Sequence, residues 1–487
     1  MHQKTARTCP RLLFAAPSSG SGKTVITCAV LELLKRRGLS CVSFKCGPDY
    51  IDPMFHQYVL NIPGYNLDSF FLSPEQVKLL FEEKTRNADI AVIEGVMGYY
   101  DGIGGTSTRA STYELAGITE TPVIFIIDGK KSSLSLAAVI RGFLDYLPDN
   151  HICGIILNRT SPMMAERLRP HLETLGVHLY GVVPECPQAK WESRHLGLTL
   201  PGEQARLREN INRFADLAEQ YLDIDGLLKL AGNVPSPYSA PVSPKHTPLL
   251  TDFAPTSTEH APLLTDSART PEKHTPPKTA SAASRRIAIA RDEAFCFYYQ
   301  ENLDLLEQAG WELLPFSPLH DRVLPECSFS AILLGGGYPE LYAKKLSENT
   351  SMLEAIRTAK KQGIKILAEC GGFLYLHEWL EGDDKALYPM AGLIKANAFR
   401  TDKLSRFGYI TLSDPQGTYI ARAHEFHYWE STFPGTDWQA AKPLSTRKWN
   451  CMIADDTMLA GFPHLYYPSN PDWILSFLAK AEHISRP

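Results

Sequence analysis

Short apolar runs alternate with amphipathic stretches over the first half of the chain, from Arg11 to about Gly232. Five runs are rich in β-branched and aromatic residues: RLLFAAP, CVSFKC, DIAVIEG, PVIFIID and ICGIILN. Continuous apolar runs of this length are typical of strands that are buried on both faces of a parallel sheet. A stretch with helical periodicity follows each of them. The pattern predicts an α/β fold built on a parallel sheet.

The composition changes abruptly at 233–284, which is crowded with Pro, Ser, Thr and Ala and contains the degenerate repeats HTPLLTDFA, HAPLLTDSA and HTPPK. Such a segment buries too little apolar surface to offset its ordering entropy, so we expect a flexible linker. A second α/β pattern then begins, with RIAIARD, WELLPFS, SAILLGGG and IKILAECGG. The chain is therefore predicted to comprise two domains, 1–232 and 285–487, on either side of the linker.

Composition excludes some classes of function. The net charge of -5 offers no basic excess for neutralising phosphates, which argues against nucleic acid as the main partner. The chain has no run of 18 apolar residues, and its first residues lack the apolar core of a signal peptide, so neither a membrane span nor secretion is expected. Ten scattered cysteines without a CxxC pair indicate reduced thiols and a cytoplasmic protein.

A phosphate-binding loop is predicted at residues 16–24, where APSSGSGKT lies between a strand and the helical run VITCAVLELLKRRG. Gly20 and Gly22 would let backbone amides turn toward phosphate oxygens at a helix N-terminus. Lys23 would reach the terminal phosphates, and Thr24 would offer its hydroxyl to Mg²⁺. Position 17 is proline where the usual motif has its first glycine. An ordinary Gly/Ser turn is the alternative.

Carboxylates follow two of the predicted strands. Glu94 ends DIAVIEG, at the sheet edge where α/β folds bind ligands, and is the best candidate for holding the magnesium of a nucleotide. Asp49 and Asp52 lie in KCGPDYIDPMFH after the second strand, and Lys45 at the end of that strand could face phosphate. Aspartates that merely cap turns beside prolines are the alternative for this pair.

A nucleophilic cysteine is predicted in the second half, where the strand of ILAECGG runs into Cys370 and two glycines. This is the pattern of a nucleophile elbow, in which small neighbours tolerate a strained turn and leave the sulfur accessible. We expect FLYLHEWL to continue as a helix whose N-terminus favours the thiolate. A buried structural cysteine is the alternative.

A thiolate nucleophile needs a base and a site for the oxyanion that its attack creates. His464 in LAGFPHLYYPSNP is the preferred base, while His424 and His427 in AHEFHYWES compete for the role. The glycines of GGGYPEL, Gly336 and Gly337, could aim backbone amides at the oxyanion.

These motifs together resemble those of the cobyrinate a,c-diamide synthase family, over nearly the whole chain apart from the linker. The resemblance is carried by APSSGSGKT, FKCGPDYIDPMFH, YNLDSFF, VIEGVMGYYDG, AFCFYYQENLDLLEQAG, GGGYPEL, AECGGFLYL and HEFHY. It implies a class I-type glutamine amidotransferase domain fused to a dethiobiotin synthetase-like P-loop domain. The implied enzyme is a carbon–nitrogen ligase that amidates the a and c acetates of cobyrinic acid through acyl phosphates, using ATP, Mg²⁺ and L-glutamine. A homodimer is compatible with the resemblance.

The resemblance also implies roles for single residues. Asp49 and Tyr50 fall in the family's substrate and nucleotide signature, with Asp49 and Glu94 on the metal side. Asn158 in GIILNR matches the strand-end position used for the nucleotide base. The family's catalytic histidine matches His464, although GFPHLYYP is a loose version of its terminal motif. In the broader amidotransferase class a glutamate stands two residues after the histidine, whereas here the residue is tyrosine.

Two alternatives remain at this point. Hydrogenobyrinate or nickel-sirohydrochlorin could be the ring that is amidated, because none of these residues distinguishes the rings. A partition-type regulatory ATPase with an inactive amidotransferase domain is an alternative of another class, and retention of Cys370 in its elbow speaks against it.

Overall fold

The computed structural model describes residues 8–186, 201–233 and 285–479. These form two α/β units, which we call the first lobe (8–186 with 201–233) and the second lobe (285–479). The predicted linker and its repeats, apart from Asn233, lie outside the described residues. No helix within the described ranges is long and apolar enough to cross a membrane.

The first lobe is a seven-stranded, wholly parallel sheet in the order β3-β2-β4-β1-β5-β6-β7. Alternate residues of its first strand enter two separate apolar cores, one on each face, so helices cover both sides. Its strands are β1 (Arg11–Ala15), β2 (Cys41–Cys46), β3 (Gly64–Leu67), β4 (Ile90–Glu94), β5 (Val123–Asp128), β6 (Ile152–Asn158) and β7 (His178–Val183). Its helices are α1 (Lys23–Arg36), α2 (Ile51–Phe55), α3 (Pro74–Thr85), α4 (Thr112–Thr119), α5 (Ser135–Tyr146), α6 (Pro162–Glu173), α7 (Pro201–Tyr221) and α8 (Ile224–Gly232).

The predicted α/β class and the five predicted strands of this lobe are confirmed. Strands β3 and β7 escaped the sequence analysis, because GYNL and HLYGVV are short and interrupted by glycine or polar residues. Strand β3 is relevant to the site, because it pairs with β2 and so lies beside the segment after β2 that contains Asp49 and Asp52.

The second lobe is built on a six-stranded sheet in the order β20-β21-β11-β10-β8-β9, parallel except for its edge strand β20, with smaller four- and five-stranded sheets beside it. Its strands are β8 (Arg286–Ala290), β9 (Glu312–Phe316), β10 (Ala331–Leu334), β11 (Lys365–Glu369), β12 (His377–Glu381), β13 (Leu387–Pro389), β14 (Ile394–Arg400), β15 (Arg406–Ser413), β16 (Tyr419–His427), β17 (Trp429–Ser431), β18 (Trp438–Ala441), β19 (Lys448–Cys451), β20 (Ile453–Ala454), β21 (Met458–Gly461) and β22 (His464–Tyr466). Its helices are α9 (Gln300–Gln308), α10 (Ala343–Glu348), α11 (Thr350–Lys361), α12 (Gly371–Tyr375) and α13 (Pro471–Ala479).

The helix expected over FLYLHEWL is wrong beyond Tyr375. Helix α12 is only five residues long, and the HEWL segment forms β12 instead. Trp379 and Leu380 pair with β13 on one side and with β14 on the other. Because HEWL is paired with a strand on each edge, it forms a strand and does not continue α12.

The two lobes meet along the carboxyl edge of the first sheet. Phe71 of the first lobe stacks on Tyr466 of the second, with ring centroids 4.7 Å apart. The backbone N–H of Asn66 donates a hydrogen bond to the buried Glu301 side chain, and the Tyr299 hydroxyl donates to the Pro48 carbonyl over 2.9 Å. These contacts bring the loop after β2 against the second lobe.

Candidate active site

The loop between β1 and α1 has the backbone geometry of a phosphate-binding loop. Gly20 and Gly22 adopt φ values of 79° and 98°, a region that side-chain-bearing residues rarely adopt. The amide of Asn158, at the end of β6, donates a 2.8 Å hydrogen bond to the Ser21 carbonyl. A Cβ at Gly22 would lie 2.0 Å from that amide nitrogen, so the loop and the predicted base-contacting asparagine fit closely together.

Lys23 begins α1 and folds back over the loop. Its Nζ donates to the carbonyl oxygens of Ser18 at 3.1 Å and Met97 at 2.6 Å. Burial lowers its pKa to about 8, helped by repulsion from the Lys45 ammonium. The ammonium therefore lies between the loop and the segment that follows β4, where a terminal phosphate could replace the carbonyls as its partner.

A buried polar cluster connects Thr24 with the ends of β2 and β4. The Thr24 hydroxyl donates to Glu94 Oε1 over 2.5 Å. The Nζ of Lys45 lies 2.8 Å from the same oxygen and 2.5 Å from Asp52 Oδ2. The predicted Thr24, Lys45 and Glu94 are thus brought together, with Lys45 paired to carboxylates in this structure.

Glu94 is fully buried, and burial raises its pKa to about 7 although Lys45 favours the carboxylate. Its second oxygen, Oε2, has no hydrogen-bond partner among the described residues. An orphaned carboxylate oxygen beside a hydroxyl suits Mg²⁺, which takes few protein ligands and keeps several waters. The described residues contain no group of three His, Cys, Asp or Glu side chains arranged for a metal, so they do not enclose a metal ion with protein ligands alone.

Asp49 lies in the loop between β2 and α2, and it forms no hydrogen bond with Glu94 or Thr24. Its Oδ1 accepts from the backbone N–H of Ile51 at 2.9 Å, and burial together with the Asp52 charge raises its pKa to about 6. The sequence analysis did not single out His56, which donates or accepts at Ser43 Oγ over 3.0 Å and places Nε2 3.9 Å from Glu94 Oε2. The only signal for it was its place at the end of KCGPDYIDPMFH.

Cys370 occupies the strained turn that the elbow pattern predicts, with φ 46° and ψ −101° between β11 and α12. Its N–H donates to the Gly461 carbonyl over 2.8 Å. The N–H of Gly371, at the start of α12, lowers the pKa of the Cys370 thiol as expected, but burial raises that pKa by more and the nearby Glu340 carboxyl adds to the rise. With α12 only five residues long, its amides do not outweigh the loss of solvent.

The glycines after β10 adjoin the cysteine turn. A Cβ built on Gly371 would lie 3.0 Å from the Gly337 nitrogen, so the amide side of Gly337 faces the residue that follows Cys370. Gly337 has φ 154°, and a side chain there would meet the Ala294 carbonyl at 2.0 Å. The Gly336 carbonyl accepts from the backbone N–H of Cys296 and of Phe297, which fixes the turn.

His464 opens β22 and is almost completely buried. Its ring packs against Gly336, where an added Cβ would lie 2.4 Å from Cε1. Burial, with a contribution from His427, lowers its pKa to about 3, so the imidazole is neutral. His424 lies opposite it in the β16–β22 register, whereas His427 bonds the Trp429 carbonyl over 2.6 Å.

Tyr50 joins the two halves of the site. It lies between Asp49 and the start of α2 in the first lobe, and its hydroxyl is 3.2 Å from His464 Nε2 in the second. Its ring also packs on Phe297, at a centroid distance of 4.7 Å. Within the described residues no hydrogen bond joins Cys370 to His464. The loop that carries the acidic signature therefore contacts the histidine of the cysteine site, a relation that spans 414 residues and that no local pattern could predict.

Two family models match separate parts of the chain. Residues 12–198 match the CobQ/CobB/MinD/ParA nucleotide binding domain family, and residues 286–467 match the CobB/CobQ-like glutamine amidotransferase domain family. Among solved structures, a glutamine amidotransferase from Thermotoga maritima is 15% identical and covers 41% of this chain and 84% of its own, with a TM-score of 0.28. The matched domains define a nucleotide-binding protein fused to a glutamine amidotransferase.

Curated relatives narrow the class. A cobyrinate a,c-diamide synthase of Salmonella typhimurium is 36% identical over 97% of this chain and 98% of its own length. Those of Listeria innocua and Fusobacterium nucleatum are 36% and 34% identical, over 95% and 93% of this chain and 97% of their own lengths. The chain belongs to the cobyrinate a,c-diamide synthase family.

Proposed function

We propose that this protein amidates the a and c acetate carboxylates of cobyrinic acid, using ATP and glutamine. Family membership supports the reaction, and the site supports its division between lobes. The observation that carries the proposal is the Tyr50–His464 contact, because it joins a phosphate-loop site and a cysteine site in one chain. A regulatory ATPase would have no use for such a junction.

Glutamine hydrolysis is assigned to the second lobe. The sulfur of Cys370 attacks the side-chain amide carbon of glutamine, and we assign stabilisation of the oxyanion to the backbone amides of Gly336 and Gly337, with Gly371 adjoining Gly337. His464 is neutral, so it can accept the thiol proton and pass it to the departing ammonia. Water then cleaves the thioester and releases glutamate. Burial raises the pKa of the thiol and lowers that of the imidazole, so neither ion is favoured alone and the proton transfer has to accompany attack of the sulfur on the amide carbon.

Carboxylate activation is assigned to the first lobe. An acetate oxygen of the acceptor attacks the terminal phosphorus of ATP, forming an acyl phosphate and ADP. Ammonia then attacks the acyl carbon, and phosphate leaves. The amides after Gly20 and the Lys23 ammonium would hold the phosphates, and we assign the nucleotide base to Asn158 on the family resemblance. Activation is needed because a carboxylate at neutral pH is a poor acyl donor.

Magnesium fits the buried cluster through Thr24 and Glu94, with Asp49 as a further candidate ligand. When bound there, Mg²⁺ would neutralise charge on the phosphates. Lys45 and Asp52 would then be positioned for the acceptor or the terminal phosphate.

The experiment is a turnover assay with protein, ATP, Mg²⁺, glutamine and cobyrinic acid, followed by mass spectrometry. Two successive products are expected, each with one hydroxyl exchanged for an amino group. Parallel reactions with hydrogenobyrinate and nickel-sirohydrochlorin identify the preferred ring. Absence of both amide products and of glutamate release would contradict the proposal and favour a regulatory ATPase.

The proposal also covers the domain limits, the cellular location and the oligomeric state of the protein. We assign 1–232 to activation, 285–487 to glutamine hydrolysis and 233–284 to the linker. No disulfide joins any of the ten cysteines, all of which lie in the described ranges, and this supports a cytoplasmic location. A homodimer is the assembly we propose, and light scattering of the purified protein at several concentrations tests it.

A further inference from the structure

Three aromatic side chains stand exposed on one face of the β15–β16 ribbon. Phe407, Phe426 and Tyr428 are 54%, 45% and 44% accessible. Phe407 and Phe426 are directly opposed in the register, with ring centroids 5.7 Å apart, and the Phe426 ring lies 6.1 Å from that of Tyr428. We call these three residues the aromatic face. Contiguous exposed rings of this kind mark binding surfaces more often than chance.

The aromatic face continues directly into the contact between the lobes. Tyr409 follows Phe407 at the next same-face position and stacks on Phe70 of the first lobe, with centroids 4.4 Å apart. Its hydroxyl donates to Asp68 Oδ2 over 2.7 Å. His424, opposite Tyr409, contacts the Phe407 ring at 5.7 Å. One half of this ribbon face is therefore covered by the first lobe, and none of the residues that the structure describes covers the other half.

The covered half, at Tyr409, borders the activation site. The Tyr409 hydroxyl lies 3.6 Å from the Cβ position of Gly47, two residues before Asp49, and Val96 lies 3.3 Å from the same point. Val96 precedes Met97, whose carbonyl accepts from Lys23. At about 3.4 Å per strand residue, Phe407 is roughly 7 Å along the ribbon from Tyr409. The aromatic face therefore begins two strand residues from the side chain that contacts the loop before Asp49.

We propose that the aromatic face is the binding platform for the conjugated macrocycle of the acceptor. This inference rests on the proposed function. A broad ring system with acetate arms needs one surface for its plane and another for the arm that reacts, and aromatic rings bind planar π-systems by stacking and edge contacts. The Lys442 ammonium, which donates to the Phe407 carbonyl, provides positive charge beside the face for the other carboxylate arms.

The test measures equilibrium binding of cobyrinic acid, through its visible absorbance in ultrafiltration, to the full-length protein without ATP. A Phe407→Ala/Phe426→Ala variant is expected to bind about thirtyfold or more weakly, because two stacking contacts are lost. A double Phe→Tyr variant keeps the rings and should restore affinity. Tyr419→Ala is the matched control, because Tyr419 is 39% exposed on the same strand but seven residues from Phe426.

The outcomes distinguish failure of the aromatic platform from failure of the proposed function. Unchanged affinity in the double alanine variant, with wild-type protein binding normally, would overturn the platform and leave the proposed function intact. Absence of binding to the wild-type protein would overturn both. Equal loss for cobyrinic acid and for metal-free hydrogenobyrinate is expected, because the face contacts the plane of the ring. A loss confined to one of them would show that these residues recognise the metal, and would contradict a stacking platform.

Discussion

Gly336 offers the sharpest test of the cysteine site, because a single methyl group there meets His464, the proposed base. In Gly336→Ala the new Cβ would lie 2.4 Å from His464 Cε1, whereas ordinary contacts begin at 3.4 Å. The imidazole must therefore move by about 1 Å, and a displacement of that size costs on the order of 10²-fold in rate. We expect glutamine-driven amidation to fall by about that factor.

The assay compares glutamine and ammonium chloride as nitrogen sources for the same preparation. Ammonia-driven amidation should be retained, since Gly336 lies in the second lobe and activation is assigned to the first. Gly142→Ala is the control, because no atom lies within 4 Å of its added Cβ. Glutamine-driven turnover that stays within twofold of wild type, or an equal loss with both nitrogen sources, would refute the assignment of His464 or the division between lobes.

Three further outcomes follow from the same geometry. Cys370→Ala should abolish glutamine use and spare ammonia-driven amidation, and loss of both activities would contradict separate half-reactions. Tyr50→Phe removes the hydroxyl that contacts His464 Nε2. Glutamate release without ATP or acceptor should therefore rise up to about tenfold, the effect of one hydrogen bond. An unchanged or lower rate would show that the contact does not restrain the histidine. Because burial holds the pKa of His464 near 3, its imidazole resonances should not titrate between pH 5 and 8, and a midpoint near 6.5 in histidine NMR, absent in His464→Gln, would contradict that burial.

Much of the architecture was accessible from local pattern. The strands that run into Glu94 and Cys370 are continuous apolar segments that end in a polar residue and glycine, and both signals are contained in a few neighbouring residues. The backbone at Cys370 has the strained geometry that its two following glycines indicate. The cluster of Thr24 with Glu94 also follows from sheet topology, since β1 and β4 are parallel neighbours.

What escaped prediction depends on pairings between distant segments. The sequence predicts a helix where β12 forms, because the strands that pair with β12, β13 and β14, lie later in the chain. The burial that raises the thiol pKa comes from packing that no window around Cys370 reveals. Tyr50 was expected at the acceptor, and its hydrogen bond to His464 depends on the docking of two separately folded sheets.

Strand β16 has a consequence for how this enzyme can change. It pairs with β15 along the aromatic face and with β22 at His464, so one strand contributes to both the proposed acceptor platform and the proposed glutamine site. A one-residue slip of a strand turns every side chain to its other face. An insertion that reshaped the ribbon for a new acceptor would therefore also misplace the histidine. Exchange of side chains in an unaltered backbone is the evolutionary route that leaves glutamine hydrolysis intact.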